Sequence, residues 1–167
     1  MQKTCKEPEE EYNYMKEINV KLKKLRESAK IPQYATEQAA ACDLCADLEG
    51  GKVTINPGEI VTIPTGIAIE CEEATEYNTA ILIFPRSGLA SKHGISLANC
   101  VGVVDSDYRG EIKVPLINHS SIPFEISSGD RIAQMMFTPV IHAEFEETDE
   151  LSDTERGNSG FGSTGIK

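Results

Sequence analysis

Asp105, Asp107 and Tyr108 lie together in residues 99–111, N-C-V-G-V-V-D-S-D-Y-R-G-E. Val101, Val103 and Val104 favour extended backbone, Asp105-Ser106-Asp107 is turn chemistry, and Ile112-Lys113-Val114 resumes an apolar/polar alternation. The stretch therefore predicts strand, sharp corner, strand, forming a central hairpin. Two carboxylates and a phenol then stand where a rigid sheet opens outward, a common setting for chemistry. A carboxylate there can serve as a general base near neutral pH, the more so where burial or a neighbouring acid such as Asp107 raises its pKa. The same Asp-Ser-Asp can also do no more than close a turn on its own backbone.

A second chemistry is carried by an arginine set among glycines and hydroxyls. Arg156 opens residues 156–165, R-G-N-S-G-F-G-S-T-G, where Phe161 is the lone aromatic. Such a composition suits wrapping phosphates and stacking on a ring. The segment has almost nothing to bury and cannot offset its own ordering entropy, so it is expected to be mobile without ligand. A frayed terminus would share that position in the chain.

These groups need a scaffold. At 167 residues the chain is long enough for one domain with its own core. A formal net charge of −11 argues against nucleic-acid or anionic-membrane partners, whose footprint would be basic. An anionic small ligand would need local arginines, backbone N–H donors or a divalent cation to overcome that field. The five cysteines have no scaffold-like spacing, there is no secretory apolar region, and no apolar run approaches the ~20 residues of a membrane span. The expectation is a reducing, cytoplasmic setting.

Along the chain, residues 1–14 are polar and charged. Ile18, Val20 and Leu22 alternate with Asn19, Lys21 and Lys23 as in a strand, while Met15, Ile18, Leu22 and Leu25 would equally share a helix face. Short β runs follow: V-T-I and I-V-T-I within residues 52–69, then residues 80–84, 115–118 and 123–126, and a final apolar run over 131–141. Pro/Gly turns separate them. Many short strands so spaced indicate an all-β sandwich, jelly roll or barrel. One short helix is expected after Arg86, capped by Ser87. From Glu144 the chain becomes an acidic linker. The expected division is an extension over 1–17, a β domain over 18–145, and a linker with a flexible glycine-rich arm over 146–167.

Five stretches, in order, resemble the trimeric deoxyuridine triphosphatase (dUTPase) family: A-C-D-L-C-A (41–46), P-R-S-G-L-A (85–90), N-C-V-G-V-V-D-S-D-Y-R-G (99–110), G-D-R-I-A-Q (129–134) and R-G-N-S-G-F-G-S-T-G (156–165). The resemblance spans roughly residues 18 to 167. It implies a jelly-roll-like β subunit in a homotrimer with shared active sites, and Mg²⁺-assisted hydrolysis of dUTP to dUMP and pyrophosphate. Asp105 matches the base that activates the water attacking the α-phosphorus. Tyr108 matches the residue that stacks on the deoxyribose and excludes a 2′-hydroxyl. Asn99 and the backbone from Val103 through Val104 to Asp105 match the hairpin that reads the uracil edge, and Lys113 falls where some members touch the ligand. Arg86, Ser87 and Gly88 match the phosphate-contacting turn, Gln134 the residue near the α-phosphate and water, and Asp43 the acid near the metal's water shell. Arg156, Phe161, Gly162, Ser163 and Thr164 match the closing arm, with Arg156 on the γ-phosphate and Phe161 over the uracil. Cys42 stands where the family usually has glycine.

Other signals point to structure. Cys42 and Cys45 project to opposite faces of a strand, and no second C-x-x-C completes a zinc site. His93, His119 and His142 lack ligand spacing. The arm lacks the G-K-[ST] of a P-loop, and Ser87 is not in a G-x-S-x-G elbow. Two alternatives keep the same fold: a dCTP deaminase, and a non-catalytic trimeric nucleotide-binding module. The V-D-S-D-Y-R-G stretch and the arm favour the diphosphatase.

Overall fold

The computed structural model describes residues 17–72 and 78–158. In chain order its elements are β1 (Val20–Lys24), β2 (Gln33–Tyr34), β3 (Cys42–Cys45), β4 (Lys52–Ile55), β5 (Ile60–Pro64), β6 (Ile67–Cys71), β7 (Asn78–Pro85), α1 (Ser87–His93), β8 (Ile95–Leu97), β9 (Gly102–Val104), β10 (Lys113–Asn118), β11 (Phe124–Ser127) and β12 (Arg131–Val140). The strands form a five-stranded sheet in the order β2-β3-β12-β7-β9, a three-stranded sheet β5-β10-β8, and the pairs β1-β6 and β11-β4. Every pairing is antiparallel. This is the expected all-β, jelly-roll-like architecture with one short helix.

Alternation builds the layers. In β7 Thr79, Ile81 and Ile83 are buried between less buried neighbours, and in β10 Val114, Leu116 and Asn118 are. β-branched side chains dominate the interior, with Ile55, Ile63, Ile67 and Val114 fully covered. They suit a pleated surface, and each such burial is worth about 1.5–3 kcal/mol. The buried Asn118 is satisfied: its Nδ2 donates to Ile55 O at 2.9 Å and Ile122 O at 2.8 Å, and its Oδ1 accepts from Ser120 N at 2.9 Å. The N-terminal ambiguity resolves as strand, with Val20 to Lys24 registered on Cys71 to Ile67 and Val20 and Leu22 turned to the core.

Two expectations are corrected. Residues 99–111 do not belong to a hairpin of paired strands. β9 pairs with β7, whereas β10 pairs with β5 and β8, so the corner carries the chain from one sheet to another. The cause is competition for backbone groups just before β10: Ile112 N–H donates to Ile67 O at 2.9 Å, and Thr65 Oγ1 donates to Ile112 O at 2.6 Å. Ser87 is not the cap of α1 but its first residue. Arg86 holds the cap position with extended backbone and makes no side-chain cap hydrogen bond, because a guanidinium has no acceptor to offer the first N–H groups; it donates to Asp43 instead.

Candidate active site

Five of the expected residues meet in one cleft of about 460 Å³, lined by Asp43, Arg86, Ser87, Gly88 and Gln134 together with Arg131. Three elements position them. On β3, Cys42 and Leu44 point inward, which turns Asp43 and Cys45 outward. The end of β7 delivers Arg86 to the start of α1, where the first N–H groups have no partner within the helix. On β12 a register shift between Arg131 and Ala133 leaves Ile132 and Ala133 both buried. That bulge reverses the alternation, so Arg131 and Gln134 share the open face despite an odd spacing.

Asp43 is held by two cations. Its Oδ1 accepts from Arg86 Nε at 2.9 Å and its Oδ2 from Arg131 Nη1 at 3.0 Å, with the carboxylate 17% exposed. Arg86 Nη1 also donates to Arg131 O at 3.3 Å. Gln134 Nε2 donates to Pro85 O at 3.0 Å, tying β12 to the turn that carries Arg86. The cleft thus offers two arginines against one acid in a chain of net charge −11, a local reversal suited to an oxyanion ligand. Arg131 had no role in the sequence reading. The signal was present, since an arginine three residues before Gln134 sits in a matched stretch, but regular alternation puts those two on opposite faces.

The corner is a second, separate group. Tyr108 N–H closes the turn on Asp105 O at 3.1 Å, and the Tyr108 hydroxyl donates to Glu111 O at 3.1 Å. A Cβ at Gly110 would lie 2.3 Å from that hydroxyl, so any side chain there would push the Tyr108 ring out of this position. Asp105 and Asp107 are exposed, Tyr108 is 47% exposed and Val103 65%, while Val104 packs on the core. Asn99 is exposed at the entry to β9, and Lys113 stands 3.7 Å from Glu111. Arg156 is described and exposed; Phe161, Gly162, Ser163 and Thr164 lie outside the described residues.

Cleft and corner are apart within one chain. β12 and β9 flank β7 on opposite sides, with Gln134 registered on Phe84 and Val104 on Ile81. Gln134 and Asp105 are therefore separated by more than about 10 Å along the strands and by about 10 Å across them. A larger cleft of about 790 Å³ lies beside β1 and is lined by Leu22, Ile69, Phe137 and Glu37 among others, with no lysine or arginine among the described residues that line it. Burial pushes the Cys42 and Cys45 thiols up, away from the thiolate that redox or metal chemistry uses.

The comparisons with known proteins bear on both groups. The chain is 54% identical over 154 residues to the deoxyuridine 5'-triphosphate nucleotidohydrolase of Desulfitobacterium hafniense, covering 91% of this chain and 99% of that one. In fold it resembles the dUTPase of Staphylococcus bacteriophage 80alpha solved with dUpNHpp, at a TM-score of 0.78 and 24% identity over 89% of this chain and 99% of that one. It also resembles a mutant dUTPase of phage phi11 of S. aureus, solved with a coordinated structural Mg(II) ion, at a TM-score of 0.70 and 20% identity over 81% of this chain and 99% of that one. The sequence pattern of the dUTPase family matches residues 27–165, a span that takes in the cleft and the corner alike. The chain belongs to the dUTPase family.

Proposed function

We propose that the protein hydrolyses dUTP to dUMP and pyrophosphate, with Asp105 as general base and the cleft around Arg86 as the phosphate grip. The observation that carries this reading is the pairing of an exposed carboxylate and tyrosine at a sheet corner with a two-arginine cleft in a chain of this family. Water held by Asp105 gives its proton to the carboxylate as its oxygen bonds to the α-phosphorus. The bond from that phosphorus to the bridging oxygen breaks, and pyrophosphate leaves with the electron pair. Arg86, with the N–H groups of Ser87 and Gly88, takes phosphate oxygens, and Gln134 orients the α-phosphate and water. Tyr108 stacks on the deoxyribose, Asn99 with the backbone of Val103 and Val104 reads the uracil edge, and Lys113 supports the ligand beside them. Arg156, Phe161, Gly162, Ser163 and Thr164 close over the bound nucleotide and exclude bulk water.

Mg²⁺ fits this site at one remove. Among the described residues no group of three or more His, Cys, Asp or Glu could hold a metal, and each Asp43 oxygen already accepts an arginine N–H. Each oxygen keeps a second lone pair, enough to accept from water around an ion held chiefly by the substrate's phosphates. Mg²⁺ so bound would neutralise triphosphate charge and improve the leaving group.

The separation of Gln134 from Asp105 supports sites shared between copies, as in the homotrimer that the family resemblance implies: both are assigned to one α-phosphorus, yet one chain holds them too far apart. Four free cysteines among the described residues fit a reducing, cytoplasmic setting. No helix among the described residues is long and apolar enough to cross a membrane, and the acidic charge disfavours nucleic acid.

The test is pyrophosphate release from dUTP, dTTP, dCTP and UTP, with and without Mg²⁺. Release confined to dUTP and dependent on Mg²⁺ is expected, with Asp105→Asn losing at least about a hundredfold in turnover while still binding dUTP. Ammonia from dCTP, or near-normal turnover by Asp105→Asn, would sink the assignment.

A further inference from the structure

Beneath the corner lies a charged cluster that none of these roles uses. Arg26, just after β1, donates from Nε to Asp47 Oδ2 at 2.7 Å and from Nη2 to Glu111 Oε1. Asp47 is 2% exposed and the Glu111 side chain 14%. Glu111 Oε1 also accepts the Gly66 N–H at 2.9 Å. The neighbouring Leu25 N–H donates to Gly66 O at 2.7 Å, which fixes the arginine's backbone against the same residue. Gly66 has φ +71°, and a Cβ there would fall 2.1 Å from Asp47 Oδ2, so the cluster closes around a glycine. Two acids covered to this extent need a cation between them. Burial pushes both carboxyls up, but hydrogen bonds outweigh it and hold both low. Ser28 and Arg26 supply them to Asp47, and Arg26 and the Gly66 N–H to Glu111.

We propose that Arg26 is a positioning residue for the corner, acting through Glu111 to set the seat of Tyr108. The inference rests on the reading of Tyr108 as the sugar-facing residue. The corner is an excursion between two sheets, and Glu111 is its last residue before the buried Ile112. The Glu111 carbonyl receives the Tyr108 hydroxyl, so the side chain that anchors Glu111 also fixes the acceptor that orients the ring. The Asp105 carbonyl, tied to the Tyr108 N–H, closes the same turn. Arg26 touches neither base nor sugar. Its contribution is a rigid floor under a half-exposed ring whose position decides whether a 2′-hydroxyl fits.

The test compares kcat and KM for dUTP and UTP in the full chain. Arg26→Gln is expected to lower the dUTP-over-UTP ratio of kcat/KM about tenfold, mostly through a higher KM for dUTP, with Arg26→Lys recovering part of the loss. Tyr108→Phe, which keeps the ring and removes the hydroxyl, should give a similar loss, and the double variant should be no worse than either single one. Strict additivity, or an unchanged ratio in a folded Arg26→Gln protein, would overturn the proposal. Should Arg26→Gln not fold, Glu111→Gln keeps the volume and an acceptor for Gly66 while removing the charge. The same loss is expected, and an unchanged ratio there overturns the proposal equally. Tyr108→Ala separates the two readings. If it leaves the ratio unchanged, Tyr108 does not face the sugar and the underlying assignment fails. If it collapses the ratio while Arg26→Gln does not, only the positioning role fails.

Discussion

Arg26 shows at the scale of one residue how this acidic chain manages its buried carboxylates. Asp47 and Glu111 are both held below the ordinary carboxylate range despite their burial, Asp47 by hydrogen bonds from Ser28 and Arg26, and Glu111 by those from Arg26 and the Gly66 N–H. Groups with depressed folded pKa values stabilise the fold fully above their unfolded values, near pH 4, and that contribution is lost as pH falls through the folded values. The thermal midpoint of the native protein should therefore fall steeply below about pH 4. Arg26→Gln should begin about 3 kcal/mol less stable near neutrality, because it takes from Asp47 its ion-pair partner and leaves Glu111 only the more distant, exposed Lys113. It should also lose less on acidification, because protonation then relieves an unpaired charge. Calorimetry across that range checks both; parallel curves would show that the cluster does not carry the acid sensitivity. Arg26 and Glu111 are 85 positions apart, and nothing in spacing or composition pairs them. Asp43, Arg86 and Gln134, which line one cleft, were singled out through the family resemblance, because each sits in one of its matched stretches. The pairing of Asp43 with Arg131 was not, because a bulge decides it.

At the scale of elements, alternation foretold the strands wherever one face is buried and the other is not, as in β7 and β10. It failed where backbone groups compete. The corner after β9 looks like a hairpin because turn residues lie between two β runs, yet Ile112 is engaged by Ile67 and Thr65, and its strand joins another sheet. Similarly, Ser87 reads as a cap until Arg86 is seen occupying that position with its side chain on Asp43. The chain past β12 poses the opposite case. Residues 141–158 are all exposed, and none belongs to the core. Residues 156–167 carry few apolar side chains to bury, so deleting them should leave the thermal midpoint within about 2 °C of the native value. On the reading of Arg156 and Phe161 as parts of a closing arm, the same deletion should lower kcat/KM for dUTP at least about a hundredfold. A thermal scan beside a pyrophosphate-release assay decides it. A large fall in the midpoint would mean that the segment is part of the fold rather than a cover for the site.

The whole molecule raises a question of distance. The phosphate cleft and the corner open from the same five-stranded sheet, but on strands that flank β7 from opposite sides. On the proposed mechanism their assigned atoms meet at one phosphorus. The proposed homotrimer would resolve this, because a head-to-tail ring would bring the corner of each copy to the cleft of the next, with every site equivalent. Exposed Val103 and Tyr108 would then face a neighbouring copy and its ligand rather than water. The arrangement has a quantitative consequence. On that reading Asp105→Asn spoils only the corner and Arg86→Gln only the cleft, and homotrimers of either variant would contain no intact site. Unfolding the two together and refolding them as a one-to-one mixture should restore about a quarter of native activity, since each site draws its corner and its cleft independently from the two kinds of chain. Mixing without exchange of subunits should restore none. If co-refolded mixtures stay inactive while forming mixed oligomers, cleft and corner serve the same site within one chain, and the distance between Gln134 and Asp105 must close by movement within the subunit.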